Sequence, residues 1–309
     1  MSTPAPHADH PEYNATVTSI QLVHDDLMIL RVEPDGDVPD YEPGQYTTLG
    51  LFTDEARVGG MPSAGSRPQK LIRRAYSISC PLLDSAQAVV RPGGSRFLEF
   101  YIALVRNDAD QPPSLTPRLF ALTPGHRLFM GLTPRGHYTL APVSDTQDVI
   151  FVATGTGEAP HNAMIRDLLN RNHQGRIASV VCVRRRRDLG YLPAHLQLEA
   201  CFENYKYVPI TTREPQNLDR SRPDYVGKQY VQELFASGDL ERQIGWIPTP
   251  GQCHFFLCGN PAMIGAPRRA PDGTLDFPDP KGMVETLTDL GFQLDQPGNP
   301  GDIHFEKYW

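Results

Sequence analysis

The chain has 309 residues, enough for two domains of ordinary size, and 39% of them are hydrophobic, which provides for buried cores and excludes wholesale disorder. Its formal charge of -7, from 29 basic and 36 acidic residues, speaks against non-specific nucleic-acid binding, which needs a net basic surface. A local basic patch that docks an acidic partner stays compatible with that balance. No apolar run approaches the length of a membrane span, so no membrane insertion is expected.

The first thirteen residues read as a flexible tail. Met1 to His10 is small, polar and proline-containing, without the charged start and apolar middle of a secretory signal, so a cytoplasmic location is expected. Beyond the tail, Ala15 to Leu22 and Leu27 to Val32 are rich in β-branched and aliphatic residues and predict two strands separated by His24-Asp25-Asp26. Pro43-Gly44 precedes a third run, Gln45 to Phe52. The stretch from Gly59 to Lys70 is Gly, Pro and Ser rich and predicts a surface loop. Strand character returns at Arg73 to Cys80, Phe97 to Val105 and Arg127 to Gly131, with a short helix near Pro117 to Leu122. Six short strands with turns between them predict a small antiparallel barrel over residues 14–143.

After Pro142 the pattern changes. Val149 to Ala153 is a continuous apolar run, as expected of a strand buried on both faces. The predicted order continues as helix Ala159 to Asn170, strand Ile177 to Val183, helix Leu192 to Phe202, strand Tyr205 to Ile210, helix Gln229 to Ala236, strand His254 to Cys258 and helix Met283 to Leu290. This alternation predicts an α/β domain with a parallel sheet over residues 147–309. Gly265 to Gly282 is Pro, Gly and charge rich and is expected to loop out of it. The five cysteines, Cys80, Cys182, Cys201, Cys253 and Cys258, are odd in number and scattered, which fits reduced thiols. Cys253 and Cys258 have a spacing that opens some iron–sulfur sites, but Pro261 stands where the next cysteine must be, so no metal is expected.

Two segments carry chemistry. In Arg74-Ala75-Tyr76-Ser77, an arginine fork suits a pyrophosphate, a tyrosine ring lies against a flat heterocycle, and a serine hydroxyl both donates and accepts toward a ring nitrogen. Strand alternation sends residues 74 and 76 to one face and 75 and 77 to the other. A plain barrel strand with one exposed arginine is the competing reading. In Thr154-Gly155-Thr156-Gly157, glycines let backbone amides approach a phosphate at a helix N-terminus; a tight strand-to-helix corner is the competing one. Arg184-Arg185-Arg186-Arg187 follows the second sheet strand, where cations are either a solvated face or a phosphate contact.

With Cys258-Gly259-Asn260-Pro261-Ala262-Met263 and the terminal Glu306-Lys307-Tyr308-Trp309, these segments fall in the order seen in bacterial ferredoxin–NADP(+) reductases, which the chain resembles over roughly residues 14–309. The resemblance implies a FAD-binding barrel and an NADP-binding α/β domain. It implies that Arg74 holds the FAD diphosphate, that Ala75 and Tyr76 line the cofactor, and that Ser77 sits beside the reactive flavin nitrogen. Tyr101, Ile102 and Ala103 would form the next FAD-contacting strand. Thr116, after Ser114-Leu115, would donate to the diphosphate, although Gln111-Pro112-Pro113 stands where the family has a glycine.

For NADP(H), the resemblance implies the turn Thr154, Gly155, Thr156 and Gly157, with Arg184 and Arg213 at the 2′-phosphate. Lys228 replaces a family arginine, keeping charge and losing the paired donors. Cys258, Gly259 and Met263 would lie on the nicotinamide side, Cys258 at the transfer region and Gly259 permitting close approach. Trp309 would pack on FAD. Glu158 departs from the family's apolar residue; a carboxylate beside a phosphate is unfavourable unless it points away, and addressing a ribose hydroxyl or a protein amide are the open alternatives.

The implied activity is hydride transfer between NADP(H) and FAD with single-electron exchange to ferredoxin or flavodoxin. Arg67, Lys70, Arg73, Arg91, Arg96, Arg268 and Arg269 are candidates for docking that acidic carrier. Two alternatives stay open: an NAD(P)H-dependent flavin or oxygenase reductase, and a nonenzymatic flavin-bearing regulatory subunit.

Overall fold

The computed structural model describes residues 10–58, 69–105, 115–270 and 274–307. The chain divides into two compact units. The first comprises residues 1–81 and 91–137, and the second residues 82–90 and 138–309. The division thus falls a few residues ahead of Pro142, and a short excursion at 82–90 groups with the second unit.

The first unit holds six strands: β1 (Ala15–His24), β2 (Leu27–Pro34), β3 (Tyr46–Phe52), β4 (Leu71–Ser77), β5 (Leu98–Ala103) and β6 (Arg127–Met130). They pair antiparallel in the order β4-β3-β6-β1-β2-β5. Just past β4, the Ser79 amide donates to the Glu99 carbonyl of β5 at 2.8 Å, and this bridge closes the sheet into a barrel. Alternation turns Val17, Met28, Leu30, Val32, Leu49, Leu51, Phe100 and Ile102 inward to one core. Helix α1 (Thr116–Leu119) adds Leu115 and Leu119 to that core. The expected barrel and its short helix are therefore present.

The second unit begins with β7 (Asp148–Thr154), a 3₁₀ turn at Gly155–Gly157 and α2 (Glu158–Asn170). It continues through β8 (Ile177–Val183), α3 (Leu192–Cys201), β9 (Tyr205–Thr211), α4 (Pro215–Leu218), α5 (Val231–Ala236) and α6 (Asp239–Ile244). Then come β10 (Cys253–Gly259), α7 (Pro261–Ile264), the short pair β11 (Arg268–Arg269) and β12 (Leu275–Asp276), α8 (Met283–Asp289) and β13 (Ile303–Lys307). The five long strands run parallel in the order β13-β10-β7-β8-β9.

One sheet face is apolar: Ile150, Val152, Val180, Val208, Phe255 and Leu257 pack with residues of α5, α6 and α8. Alternation gives the opposite face Phe151, Ser179, Tyr205, Tyr207 and Phe256, and there α2 and α3 present buried polar residues. No described helix is long and apolar enough to cross a membrane.

Candidate nucleotide sites

In the first unit, β4 ladders to β3, with Arg74 opposite Leu49, Tyr76 opposite Thr47 and Ser77 opposite Tyr46. Arg74 and Ala75 are exposed, Tyr76 is half-buried and Ser77 is buried. Burial pushes the Tyr76 phenol well above its ordinary value, and the Arg74 guanidinium pulls it back down, as expected of neighbours on one strand face. Arg74 Nη1 donates to the Arg73 carbonyl at 2.8 Å. A pocket bordered by Tyr46, Thr47, Thr48, Gly131, Thr133 and Arg135 lies along the partner strand β3.

On β5, Tyr101 and Ile102 are buried and Ala103 is exposed. Ile102 faces the barrel core. Thr116 opens α1, and its hydroxyl accepts from the Val105 amide at 3.2 Å, which leaves its O–H to donate. Ser114 and Gln111-Pro112-Pro113 lie outside the described residues, as does Arg67.

In the second unit the chain runs β7, β8, β9 in one direction and then crosses back to place β10 on the other side of β7. The carboxyl ends of β7 and β10 therefore form the switch point at which parallel sheets bind ligands. Thr154, Gly155, Thr156 and Gly157 leave β7 there, and Gly259 ends β10 beside them. Gly259 sits at φ +124°, and an added Cβ would fall 2.3 Å from Thr154 Oγ1 and 2.7 Å from its carbonyl oxygen. A Cβ on Gly157 would fall 2.3 Å from the Cys258 carbonyl oxygen. By contrast, a Cβ on Gly155, at φ +53°, would meet nothing within 4 Å. Two glycines thus close the corner, and the third borders the open space that a phosphate needs.

The corner is locked by the Asn260 amide, which donates to Thr154 Oγ1 at 2.7 Å. Asn260 Oδ1 in turn accepts from the Ala262 amide at 2.9 Å and caps α7. Met263 and Cys258 are buried, Cys258 completely.

Arg184 and Arg213 follow β8 and β9, and the Arg213 amide donates to the Arg184 carbonyl at 2.8 Å. Both side chains are exposed. The sequence separates these arginines by twenty-nine positions; the parallel pairing of Val183 with Thr211 brings them together. Lys228 is exposed next to Gly227, whose carbonyl accepts from Asn217 Nδ2 at 2.9 Å.

Sequence reasoning did not single out Asn217, yet it is the hub of this corner. Buried, it accepts from the Thr211 hydroxyl and the Glu214 amide at 3.1 and 3.0 Å and ties the Lys228 segment to β9. The Glu214-Pro215-Gln216-Asn217 run, an acidic cap with Pro at the first helical position, was the signal available for it. Glu158 turns inward, away from the turn. Tyr308 and Trp309 lie outside the described residues.

Residues 151–269 match the oxidoreductase NAD-binding domain family. The flavodoxin/ferredoxin–NADP reductase of Escherichia coli K12 is 28% identical over 249 residues, 80% of this chain and 85% of that protein. The ferredoxin–NADP reductase of Azotobacter vinelandii is 26% identical over 277 residues, 86% of each chain. Among solved structures, a ferredoxin NADP+ reductase from Neisseria gonorrhoeae with bound FAD and NADP superposes with a TM-score of 0.69 at 18% identity, covering 96% of this chain and 99% of that one. The similarity to flavodoxin/ferredoxin–NADP reductases extends over 80% or more of the chain.

Proposed function

We propose that the protein is a FAD-dependent oxidoreductase that moves a hydride between NADP(H) and flavin and exchanges single electrons with ferredoxin or flavodoxin. The observation that carries this reading is the corner at the carboxyl ends of β7 and β10. Gly157 and Gly259 admit no side chain there, and Gly155 borders open space. The adjacent Arg184 and Arg213 supply cations suited to a 2′-phosphate.

The residues of each unit fit the nucleotide assigned to them. Bound FAD would supply the two-electron to one-electron conversion, which no side chain performs. Arg74 would hold its diphosphate, Tyr76 would lie against its ring system, and Ser77 would hold a hydrogen bond to the flavin nitrogen. Ala75, Tyr101, Ala103 and the backbone of Ile102 would border the cofactor, and Thr116 would donate to the diphosphate. Trp309 is assigned by resemblance alone. In the second unit the amides of Gly155 to Gly157 would bind phosphate, Arg184, Arg213 and Lys228 the adenosine end, and Gly259 and Met263 the nicotinamide side. Cys258 acts by filling space beneath it, since hydride transfer needs no nucleophile. The carrier would dock on exposed cations; of these, Arg96 pairs with Glu33 at 3.0 Å and Arg73 lies 4.0 Å over Phe129, which leaves Lys70, Arg91, Arg268 and Arg269 as better candidates.

Anaerobic titration tests the reading. Purified protein should show flavin bands that bleach with NADPH at lower concentration than with NADH. Arg184→Glu with Arg213→Glu should erase that preference and leave the flavin bound, while Arg74→Ala should release FAD. A colourless protein, or equal bleaching by both coenzymes in the native chain, would count against it.

A further inference from the structure

We infer that Glu158 sets the charge behind the glycine-rich turn and so limits how tightly the second unit holds a dinucleotide diphosphate; the inference rests on the NADP(H) reading above. Glu158 is the first residue of α2 and is only 1% exposed. Its Oε1 accepts from the Tyr207 hydroxyl of β9 at 3.0 Å and lies 3.0 Å from His195 Nε2 of α3. That same nitrogen is 3.1 Å from Asn162 Oδ1, while His195 Nδ1 is 2.7 Å from the Tyr205 hydroxyl. The imidazole stacks on Tyr207 with centroids 4.3 Å apart. His195 and Asn162 are fully buried.

Because Nε2 faces two acceptors, it carries a hydrogen and donates to them. The other carboxylate oxygen, Oε2, is buried and has no hydrogen-bond partner among the described residues. Glu158 is therefore held at one oxygen by a phenol and an imidazole, with no contact to a ligand surface. Its field also reaches Tyr205, whose phenol is pushed up by burial first and by Glu158 second.

A helix N-terminus carries roughly half a positive charge, and its influence is confined to the first turn. A carboxylate in that turn offsets part of the charge, and burial shields it from salt. A diphosphate bound at Gly155 to Gly157 brings further negative charge to the same helix end. Glu158 opposes it without occupying its place, and the consequence is a looser coenzyme that leaves sooner. Glu158 touches no reacting atom; it acts through the electrostatics of the turn.

The test compares two ligands by calorimetry on the flavin-loaded protein. NADP+ carries the diphosphate, whereas adenosine 2′-monophosphate keeps the 2′-phosphate and lacks it. Glu158→Gln retains length and an acceptor oxygen and removes the charge. It should tighten NADP+ about tenfold, leave adenosine 2′-monophosphate unchanged, and lower KM for NADPH together with kcat as release slows. A purely structural role would instead weaken both ligands. The double variant Glu158→Met/Tyr207→Phe removes the acceptor and one of its donors together, strands no hydroxyl, and supplies the same measurement should the single variant not fold. Unchanged or weakened NADP+ binding in the folded variants overturns the inference alone. Failure of the native protein to bind NADP+ at all overturns the NADP(H) reading and this inference with it.

Discussion

Gly155 and Gly259 lie in the same corner, both at positive φ, and differ in what a methyl group would meet. For Gly259→Ala the new Cβ would press on Thr154 Oγ1 and its carbonyl, a backbone neighbour that cannot rotate away. The substitution should cost about 3 kcal/mol or more. For Gly155→Ala only the backbone preference is lost, about 1 kcal/mol. The methyl would, however, project into the space reserved for phosphate, so NADP+ binding should fall while stability drops by no more than that amount. Urea unfolding and calorimetry on both variants check the pair. Equal stability losses would contradict the geometry. The motif Thr154-Gly155-Thr156-Gly157 was legible as a strand-to-helix turn, because it follows an apolar run and precedes a helical one, and a phosphate turn and a tight corner were both open readings of its glycines. Which glycine closes the corner and which opens it was not legible, because that depends on β10, about one hundred residues further along. Glu158 shows the same limit: its place after Gly157 was plain, but its partners Tyr207 and His195 come from other elements.

At the scale of elements, the apolar runs announced themselves. Ile177 to Val183 is predicted and observed with the same ends, since a strand buried on both faces needs an unbroken apolar run. The elements that sequence reading passed over are short or amphipathic. Helices α4, α6 and α7 span four, six and four residues, too short for a periodic signal. Strand β13 reads Ile303-His304-Phe305-Glu306-Lys307, with two charged residues at its end, and it is a strand because β10 offers a parallel edge. This edge position makes a testable difference. Deleting residues 308–309 leaves the ladder intact and should leave the second unit cooperatively folded. Deleting residues 303–309 strips the pairing from Phe255 to Gly259, uncovers a central strand edge, and removes Ile303 from the core. That truncation should be insoluble or lack cooperative unfolding by calorimetry; a soluble, cooperatively folded product would show that β13 is dispensable.

At the scale of the molecule, two units with separate cores carry unequal burdens of buried titratable groups. The second unit buries His161, His173, His254 and His304, and each is pushed below the ordinary imidazole value, first by burial. Protonation of His304 is opposed further by His254, 3.0 Å away, against the pull of Asp295 and Asp302. His161, fully buried against the Tyr138 hydroxyl at 2.7 Å, is lowered to about 3. Above the unfolded imidazole value, near 6.5, folded and unfolded chains are both neutral at this site and stability does not depend on it. As pH falls below that value, the unfolded chain takes up a proton that the folded chain refuses, so stability is lost, and the loss levels off near the folded value. At pH 5 the contribution of His161 alone should be about 2 kcal/mol relative to pH 7. The double variant His161→Leu/Tyr138→Phe removes the imidazole and leaves no stranded hydroxyl. Both tryptophans, Trp246 and Trp309, fall in the second unit, so urea unfolding followed by tryptophan fluorescence reports on it. The loss of stability from pH 7 to pH 5 should be smaller in the variant than in the native chain by that amount. Identical losses would mean that His161 is protonated in the folded protein, against its burial.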